Sequence, residues 1–383
     1  MPVNRPPTLL LAGGGHSHAL LLKRLQQKPL PDCRVQLLST SRYTPYSGML
    51  PGVIAGHYRP DEAHIDLSRL ASVSGCEFIE GNVTELDADN NRLLTDRNHT
   101  LDYDFLSINT GSTQSRVIDA PDCISIKPIH PFLQWLNLEL PSRLEEKRNF
   151  RLVIIGGGAV GVEVSMALRK RLQKHDSAEI HILTASGILA GYPQAVRQMV
   201  EDALIRKQIS VHSNFKVAGV AKGTLSSTNG QKLKYDQVVL ATTASPAKWP
   251  AQSTLATDAR GFIRVNETLQ SSSHANVFAC GDIAAFPGSA VARSGVYAVR
   301  QAPVLHQNLI HRLQNTDLVA YKPQHRFLSL LSCADGHAIA SRGCFRAQGR
   351  LIWLGKDWID RRFMAQFPRP GPGFMELPSS LSG

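Results

Sequence analysis

The chain has 383 residues, 43% hydrophobic and 19% charged, with 42 basic against 31 acidic side chains and a formal net charge of +11. A chain of this size buries real cores and divides into two or three domains, and its basic balance favours anionic partners such as nucleotides or an anionic membrane surface. No run reaches the roughly 20 apolar residues that span a bilayer, no signature points to specific nucleic-acid binding, and six scattered cysteines without a C-x-x-C pair or zinc spacing read as reduced thiols of a cytoplasmic protein, with no metal site.

Thr8 to Ala12 is a short apolar run that breaks into Gly13, Gly14 and Gly15 and then into an apolar-rich helical pattern from His16 and Ser17. Strand, tight turn and helix in that order let the backbone approach a pyrophosphate and offer it free N–H groups and a positive helix end. A dinucleotide is the natural ligand. His18 stands where the motif has its third glycine. The next strand, Cys33 to Leu38, ends in Ser39 and Thr40 where an acid ordinarily holds the adenosine ribose, although either hydroxyl can hydrogen-bond it. His16 and His18 read as plain helix-start residues or, for His16, as a group lying against the pyrophosphate.

Arg42 to Gly56, which includes Ser47, is dense in glycine, proline and aromatics. It reads as a shaped loop and not a regular element, placed where such folds close over the reactive end of the cofactor. Strand pairs through Val83 and up to Ile108 end in Thr110-Gly111.

A Pro-rich connection and a helix around Pro131–Leu144 precede a second glycine-rich turn, in which Arg151 to Ile155 leads into Gly156, Gly157, Gly158, Ala159, Val160, Gly161 and Glu163. Helix 160–174, strand Glu179–Leu183, helix 193–207, a hairpin near 223–230 and a strand running into Thr242-Thr243 follow. This unit parallels the first, and two such turns imply two dinucleotides. Its second strand ends in Thr184-Ala185-Ser186, with neither the acid that selects NAD nor an arginine that selects NADP, so the preference stays open.

Asn276 to Ala279 is a strand ending in Cys280-Gly281-Asp282, and Arg293-Ser294-Gly295-Val296 opens a helix that contains Gln301. A free carboxylate and a positive helix end at one junction suit a polyol chain and an electron-poor ring that gains negative charge on reduction, which describes flavin. The last segment reads as three short strands, Arg326–Ser332, His337–Arg342 and Arg350–Leu354, with an Asp335-Gly336 turn. Residues 356–367, with Trp358, Ile359, Phe363 and Phe367 beside Lys356, Arg361 and Arg362, read as a surface helix for anionic lipid or a partner, or as a helix packed on its own domain with its basic side chains snorkelling. The tail from Pro368 reads as disordered, or ordered only on contact.

Both glycine-rich turns, the Thr-Gly turn and Cys-Gly-Asp occur in the order found in the two-dinucleotide-domain flavoprotein oxidoreductases, which the sequence resembles over nearly its whole length. The loop from Tyr43 to Gly52 and the short C-terminal segment resemble the type II NADH dehydrogenase and sulfide:quinone oxidoreductase branch, and more narrowly the flavoprotein associated with selenide, water dikinase. The resemblance implies two Rossmann-like three-layer ββα dinucleotide-binding domains, the second inserted in the first, plus a small α+β C-terminal segment. Residues 1–118 and 246–318 would bind FAD, 119–245 NAD(P)H, and 319–383 would face a membrane or partner. By resemblance, Gly13, Gly14, Gly15, His16 and Ser17 would hold the FAD pyrophosphate, Ser39 and Thr40 the ribose, Val83 the adenine, and Thr110 and Gly111 the crossing between domains. Asp282, after Gly281, would hold the ribityl hydroxyls, and Arg293 with Ser294, Gly295 and Val296 the pyrimidine end of the ring, with Arg42 and Ser47 in the closing loop. Gly156, Gly158, Ala159, Val160, Gly161 and Thr184 would carry the nicotinamide nucleotide. Glu163, Arg293 and Gln301 are the catalytic candidates, Glu163 reading also as a capping or salt-bridge carboxylate. The implied activity passes hydride from NAD(P)H through FAD to a quinone-like acceptor without a redox disulfide, in the cytoplasm or peripherally on the inner face of the membrane. The alternatives are a sulfide or selenide oxidoreductase using Cys123, Cys280 or Cys333, and a flavin-bearing partner module of selenium metabolism.

Overall fold

The computed structural model describes residues 5–115, 117–147, 149–175, 177–288, 293–324, 326–371 and 374–375. In chain order the elements used below begin with β1 (Thr8–Ala12), α1 (His16–Leu25), β2 (Arg34–Ser39), β3 (Glu77–Glu80) and β4 (Phe105–Ile108). Next come β5 (Cys123–Ser125), β6 (Arg151–Ile155), α2 (Ala159–Arg171), β7 (Glu179–Leu183), α3 (Gln194–Arg206), β8 (Ile209–His212) and β9 (Gln237–Leu240). β10 (Val277–Ala279) leads to α4 (Gly295–Leu313), and β11 (Ser329–Ser332), β12 (Ala338–Arg342), β13 (Phe345–Gly349) and α5 (Arg350–Met364) complete the set.

Two parallel five-stranded sheets organise the chain, in the orders β10-β4-β1-β2-β3 and β5-β9-β6-β7-β8. Each central strand is apolar after its first residue because both of its faces are covered. In β1, Leu9 and Leu11 face one core while Leu10 and Ala12 face another, and in β6 Leu152 and Ile154 alternate in the same way with Val153 and Ile155. The second sheet lies wholly between β4 and β10 in sequence, yet β10 pairs with β4, so the second unit is inserted in the first. A three-stranded antiparallel sheet accompanies each unit, one spanning Val83–Asp87 to Thr100–Asp102 and the other Val217–Ala221 to Lys232–Lys234. These are the two three-layer ββα units expected from the sequence.

Four local expectations are corrected. Arg350–Leu354 is not a strand: β13 ends at Gly349, whose φ of +131° turns the chain, and α5 starts at Arg350. The helix prevails because Lys356, Asp360 and Met364, four residues apart, bury one face of it. The segment 42–56 is not irregular throughout, since Tyr43–Pro45 pairs antiparallel with His64–Asp66 and Leu50–Ile54 forms a helical turn with all five residues buried. Lys356, expected on a solvated or snorkelling face, is 8% exposed. Part of the tail is docked: the Pro368 carbonyl accepts the Asp66 N–H at 2.8 Å, and the Phe374 ring lies 4.5 Å from Tyr43 and 4.8 Å from His64. The remainder of that tail lies outside the described residues. Among the described residues no helix is long and apolar enough to cross a membrane.

Candidate functional site

At the first glycine-rich turn the backbone packs against Asn109, the residue after β4. A Cβ on Gly13, whose φ is +101°, would lie 2.5 Å from the Asn109 carbonyl oxygen, and one on Gly15 would lie 2.2 Å from its Oδ1. Asn109 Oδ1 accepts the N–H groups of Ser17 and His18 at 3.2 and 3.4 Å, while its Nδ2 donates to the Cys280 carbonyl at 2.8 Å. One buried amide therefore binds the start of α1 to the end of β10, which brings the Gly13 turn and the Gly281-Asp282 turn to one place. His18 is fully buried, with its ring nitrogens on the Gly13 carbonyl at 2.7 Å and Ser107 Oγ at 2.8 Å, so it is a structural replacement for the motif's third glycine. The Ser17 hydroxyl donates to the Ala298 carbonyl at 2.7 Å and joins α1 to α4.

His16 is different. Its Nε2 is buried and has no partner among the described residues. Burial pushes the imidazole down to about 4, with Asp282 raising and Lys127 lowering it, so it is neutral at pH 7. Gly295, at the start of α4, has its Cβ direction 3.8 Å from His16 Nδ1 and 4.0 Å from Ser47 Oγ. Asp282 is bonded to Lys127 Nζ at 3.0 Å and Ser112 Oγ at 3.1 Å. Burial alone would raise its carboxyl, but Lys127, Ser112 and His16 outweigh this and hold it below the usual carboxylate range. Arg293 Nε donates to the Asp282 carbonyl at 3.1 Å, and its guanidinium carbon stands 3.4 Å from the centre of the Phe262 ring. Gln301 Oε1 accepts the Gly281 N–H at 2.6 Å. Two helix N-termini, an ionised carboxylate and an orphaned buried imidazole thus converge, an arrangement that fits a dinucleotide with a polyol and a ring that accepts negative charge.

Other expected residues are placed less centrally. Ser39 is buried beneath the turn, 2.8 Å from where a Gly14 Cβ would stand, and Thr40 is exposed beside it. Val83 is buried, Thr110 is exposed, and Gly111 has a φ of +73°. Arg42 is turned to Asp66 in a two-pronged pair at 2.8 and 3.2 Å, so its charge is already engaged.

The second turn repeats the design. Gly156, at φ +134°, would place a Cβ 2.2 Å from the Ala241 carbonyl oxygen, and Gly161 would place one 1.9 Å from the Gly156 oxygen. Around Gly158, by contrast, a Cβ would meet nothing within 4 Å, and Val160 is 44% exposed. The N-terminus of α2, with Ala159 in its first turn, therefore opens outward, free to receive a phosphate. Thr184 is buried against this turn with its Oγ1 3.4 Å from the Gly187 carbonyl oxygen.

Glu163, two residues beyond Gly161, points to the C-terminal segment. Its Oε1 accepts the Ser332 N–H at 2.8 Å. Burial pushes its carboxyl up to about 7, against the pull of Lys356 and Ser332 and with a push from Asp360. Lys356 Nζ bonds Asp360 Oδ2 at 2.6 Å and the Gly48 carbonyl at 2.8 Å, and both residues are buried. Tyr46 hydrogen-bonds Asp360, and its ring stacks on Phe363 at 4.6 Å and meets His16 edge-on at 5.4 Å. Helix α5 thereby packs Phe363 against Tyr46 and His16 and sets Lys356 and Asp360 beside Glu163. Sequence reading missed Asn109, Lys127, Tyr46, Ser332 and Asp360, since each acts through a contact distant in sequence. The only trace was the four-residue spacing of Lys356 and Asp360. No disulfide joins any of the cysteines among the described residues, and burial pushes the Cys280 and Cys333 thiols up to about 12, so neither is a ready nucleophile.

A family model described as pyridine nucleotide-disulphide oxidoreductase matches residues 9–307. The chain is 25% identical over 310 residues to ferroptosis suppressor protein 1 of Taeniopygia guttata, covering 74% of this chain and 78% of that one. It is 20% identical over 369 residues to alternative NAD(P)H-ubiquinone oxidoreductase C1 of Arabidopsis thaliana, covering 85% and 71%. Among solved structures it resembles NDH2 from Plasmodium falciparum in complex with NADH, with a TM-score of 0.80 at 15% identity over 95% of this chain and 98% of that one.

Proposed function

Because the chain belongs to the pyridine nucleotide-disulphide oxidoreductase family, we propose that it is an FAD-dependent oxidoreductase that takes hydride from NAD(P)H and delivers two electrons to a quinone-like acceptor without a redox disulfide. The observation that carries this reading is the pair of glycine-bend helix N-termini, one beside Asp282 and the His16 Nε2 that has no hydrogen-bond partner among the described residues, the other open at Gly158. The acceptor is read from the relative named as an NAD(P)H-ubiquinone oxidoreductase. FAD, when bound, supplies the hydride-accepting ring.

Asp282 holds ribityl hydroxyls as an ionised acceptor. The neutral His16 lies against the pyrophosphate without adding charge, while Arg293 and the N-terminus of α4 present positive potential to the pyrimidine end. Lys127 keeps Asp282 ionised and reaches it from the segment that follows β5. Glu163, half protonated near pH 7, stores the proton that a reduced quinone needs in addition to hydride. We read residues 1–118 and 246–318 as the FAD unit, 119–245 as the NAD(P)H unit and 319–383 as the wall and docking segment. Leu351, Trp358 and Phe345 are 82%, 60% and 56% exposed, next to the exposed Arg346, Arg350 and Arg362, a combination that suits peripheral contact with an anionic membrane from which a quinone is drawn.

Anaerobic titration of the purified yellow protein tests the redox reading. NADH or NADPH should bleach the flavin absorbance and a short-chain quinone should restore it. A spectrum unchanged by millimolar nucleotide would refute it. Sedimentation with anionic vesicles, lost in Trp358→Asp, tests the membrane contact separately.

A further inference from the structure

A cleft of about 550 Å³ opens between α1, α4 and the chain Tyr321–Gln324 that leads into the C-terminal sheet. It has the size of an ordinary small-molecule site, roughly 300–1,000 Å³. Its charged lining is Arg24, Arg300 and Lys322, with no carboxylate, and apart from Tyr321 and Gln324 the rest is aliphatic. Arg24, Arg300 and Lys322 are exposed, and Arg300 Nη1 donates to Gln324 Oε1 at 2.6 Å. Nearby, His306 is pushed down by burial and further by Arg24 and Lys28, which marks the neighbourhood as electropositive.

Here every charged lining group is a cation. The complementary ligand therefore carries negative charge and acceptor oxygens, and the aliphatic wall asks for an apolar body attached to them. We propose that this cleft binds a small anionic amphiphile, a single carboxylate or phosphate head on a short hydrocarbon body. Arg300 engages the head in the two-pronged manner of a guanidinium on a carboxylate or phosphate. Lys322 and Arg24 add positive charge beside it, and Leu20 and Val304 line the body. The same two helices start at His16 and Gly295, so the cleft joins the far sides of the elements whose N-termini form the flavin site.

Isothermal titration of the FAD-loaded full chain with octanoate, octyl phosphate, octanol and inorganic phosphate tests this by heat alone, independently of any turnover. Saturable one-site binding of octanoate or octyl phosphate is expected, and which of the two binds more tightly identifies the head group. Octanol and inorganic phosphate should each bind at least about tenfold more weakly. The Arg300→Gln, Lys322→Gln double variant should lose about tenfold or more in affinity, and Leu20→Trp, which fills the aliphatic wall and leaves the cations in place, should lose binding with flavin content unchanged. The proposal is overturned if neither amphiphile saturates in the millimolar range, if octanol or inorganic phosphate binds equally well, or if binding survives in the double variant. A double variant that fails to retain flavin is replaced by Lys322→Gln alone, judged by the same comparison.

Discussion

Replacing Glu163 by glutamine separates the burial of a charge from the hydrogen bond it makes. In Glu163→Gln the side-chain amide would keep an acceptor oxygen for the Ser332 N–H, now at 2.8 Å, and remove only the titration. The wild-type carboxyl is raised by burial from 4.5 to about 7. Below the unfolded value both states are protonated and the burial carries no penalty. As pH rises from about 4.5 to about 7 the unfolded chain ionises first, and native stability falls by as much as about 3 kcal/mol, at about 1.36 kcal/mol for each tenfold change in the ionisation constant. Above pH 7 the whole penalty is present. Melting curves of the two proteins should coincide near pH 5 and separate toward pH 8, the variant melting higher by on the order of 4 °C. A gap that does not change between these pH values would refute the buried-carboxyl argument. The same variant tests the proton store: wild-type turnover with a quinone should decline above pH 7, the variant should be slow and lack that limb, and turnover with ferricyanide, which needs no proton, should be similar in both.

Three further outcomes follow from the geometry. Asp282→Asn leaves Lys127 without its carboxylate and weakens the polyol contact, so flavin retention, read as the ratio of visible to protein absorbance after dilution, should fall roughly tenfold to a hundredfold. Lys356→Met strands the buried Asp360 and should destabilise the protein by about 3–5 kcal/mol, whereas Lys356→Met with Asp360→Leu should recover most of it; equal losses in urea melts would contradict the buried-pair account. Gly158→Ala meets no protein atom within 4 Å, so its melting temperature should match wild type while the KM for nucleotide rises roughly tenfold or more. A change in melting temperature without a change in KM would mean that Gly158 serves the fold and not the nucleotide.

The two glycine turns were legible because their information is local: a glycine at positive φ, a strand before it and an apolar helix after it occupy a dozen neighbouring residues. The parallel sheets were legible too, as apolar runs buried on both faces. At Arg350–Leu354 sequence reading went astray, since a short apolar stretch fits a strand or a helix, and only the burial of Lys356, Asp360 and Met364 on one face decides for the helix. Lys356 itself looked like a solvated or snorkelling cation because a basic residue in a surface helix usually is one.

What the amino-acid order determined by itself is therefore the pair of nucleotide-binding units and the direction of their helix dipoles, while their nesting, implied by the family resemblance, is fixed by the pairing of β10 with β4. Tertiary structure alone decided the rest of the site. It put Asn109 under the first turn, Lys127 on Asp282, and the Glu163 carboxyl among Ser332, Lys356 and Asp360. Those partners lie 92, 155 and 169 positions apart for the three hydrogen bonds. The physical reason is that ionisation and hydrogen bonding depend on distance and burial, which chain folding sets and sequence spacing does not.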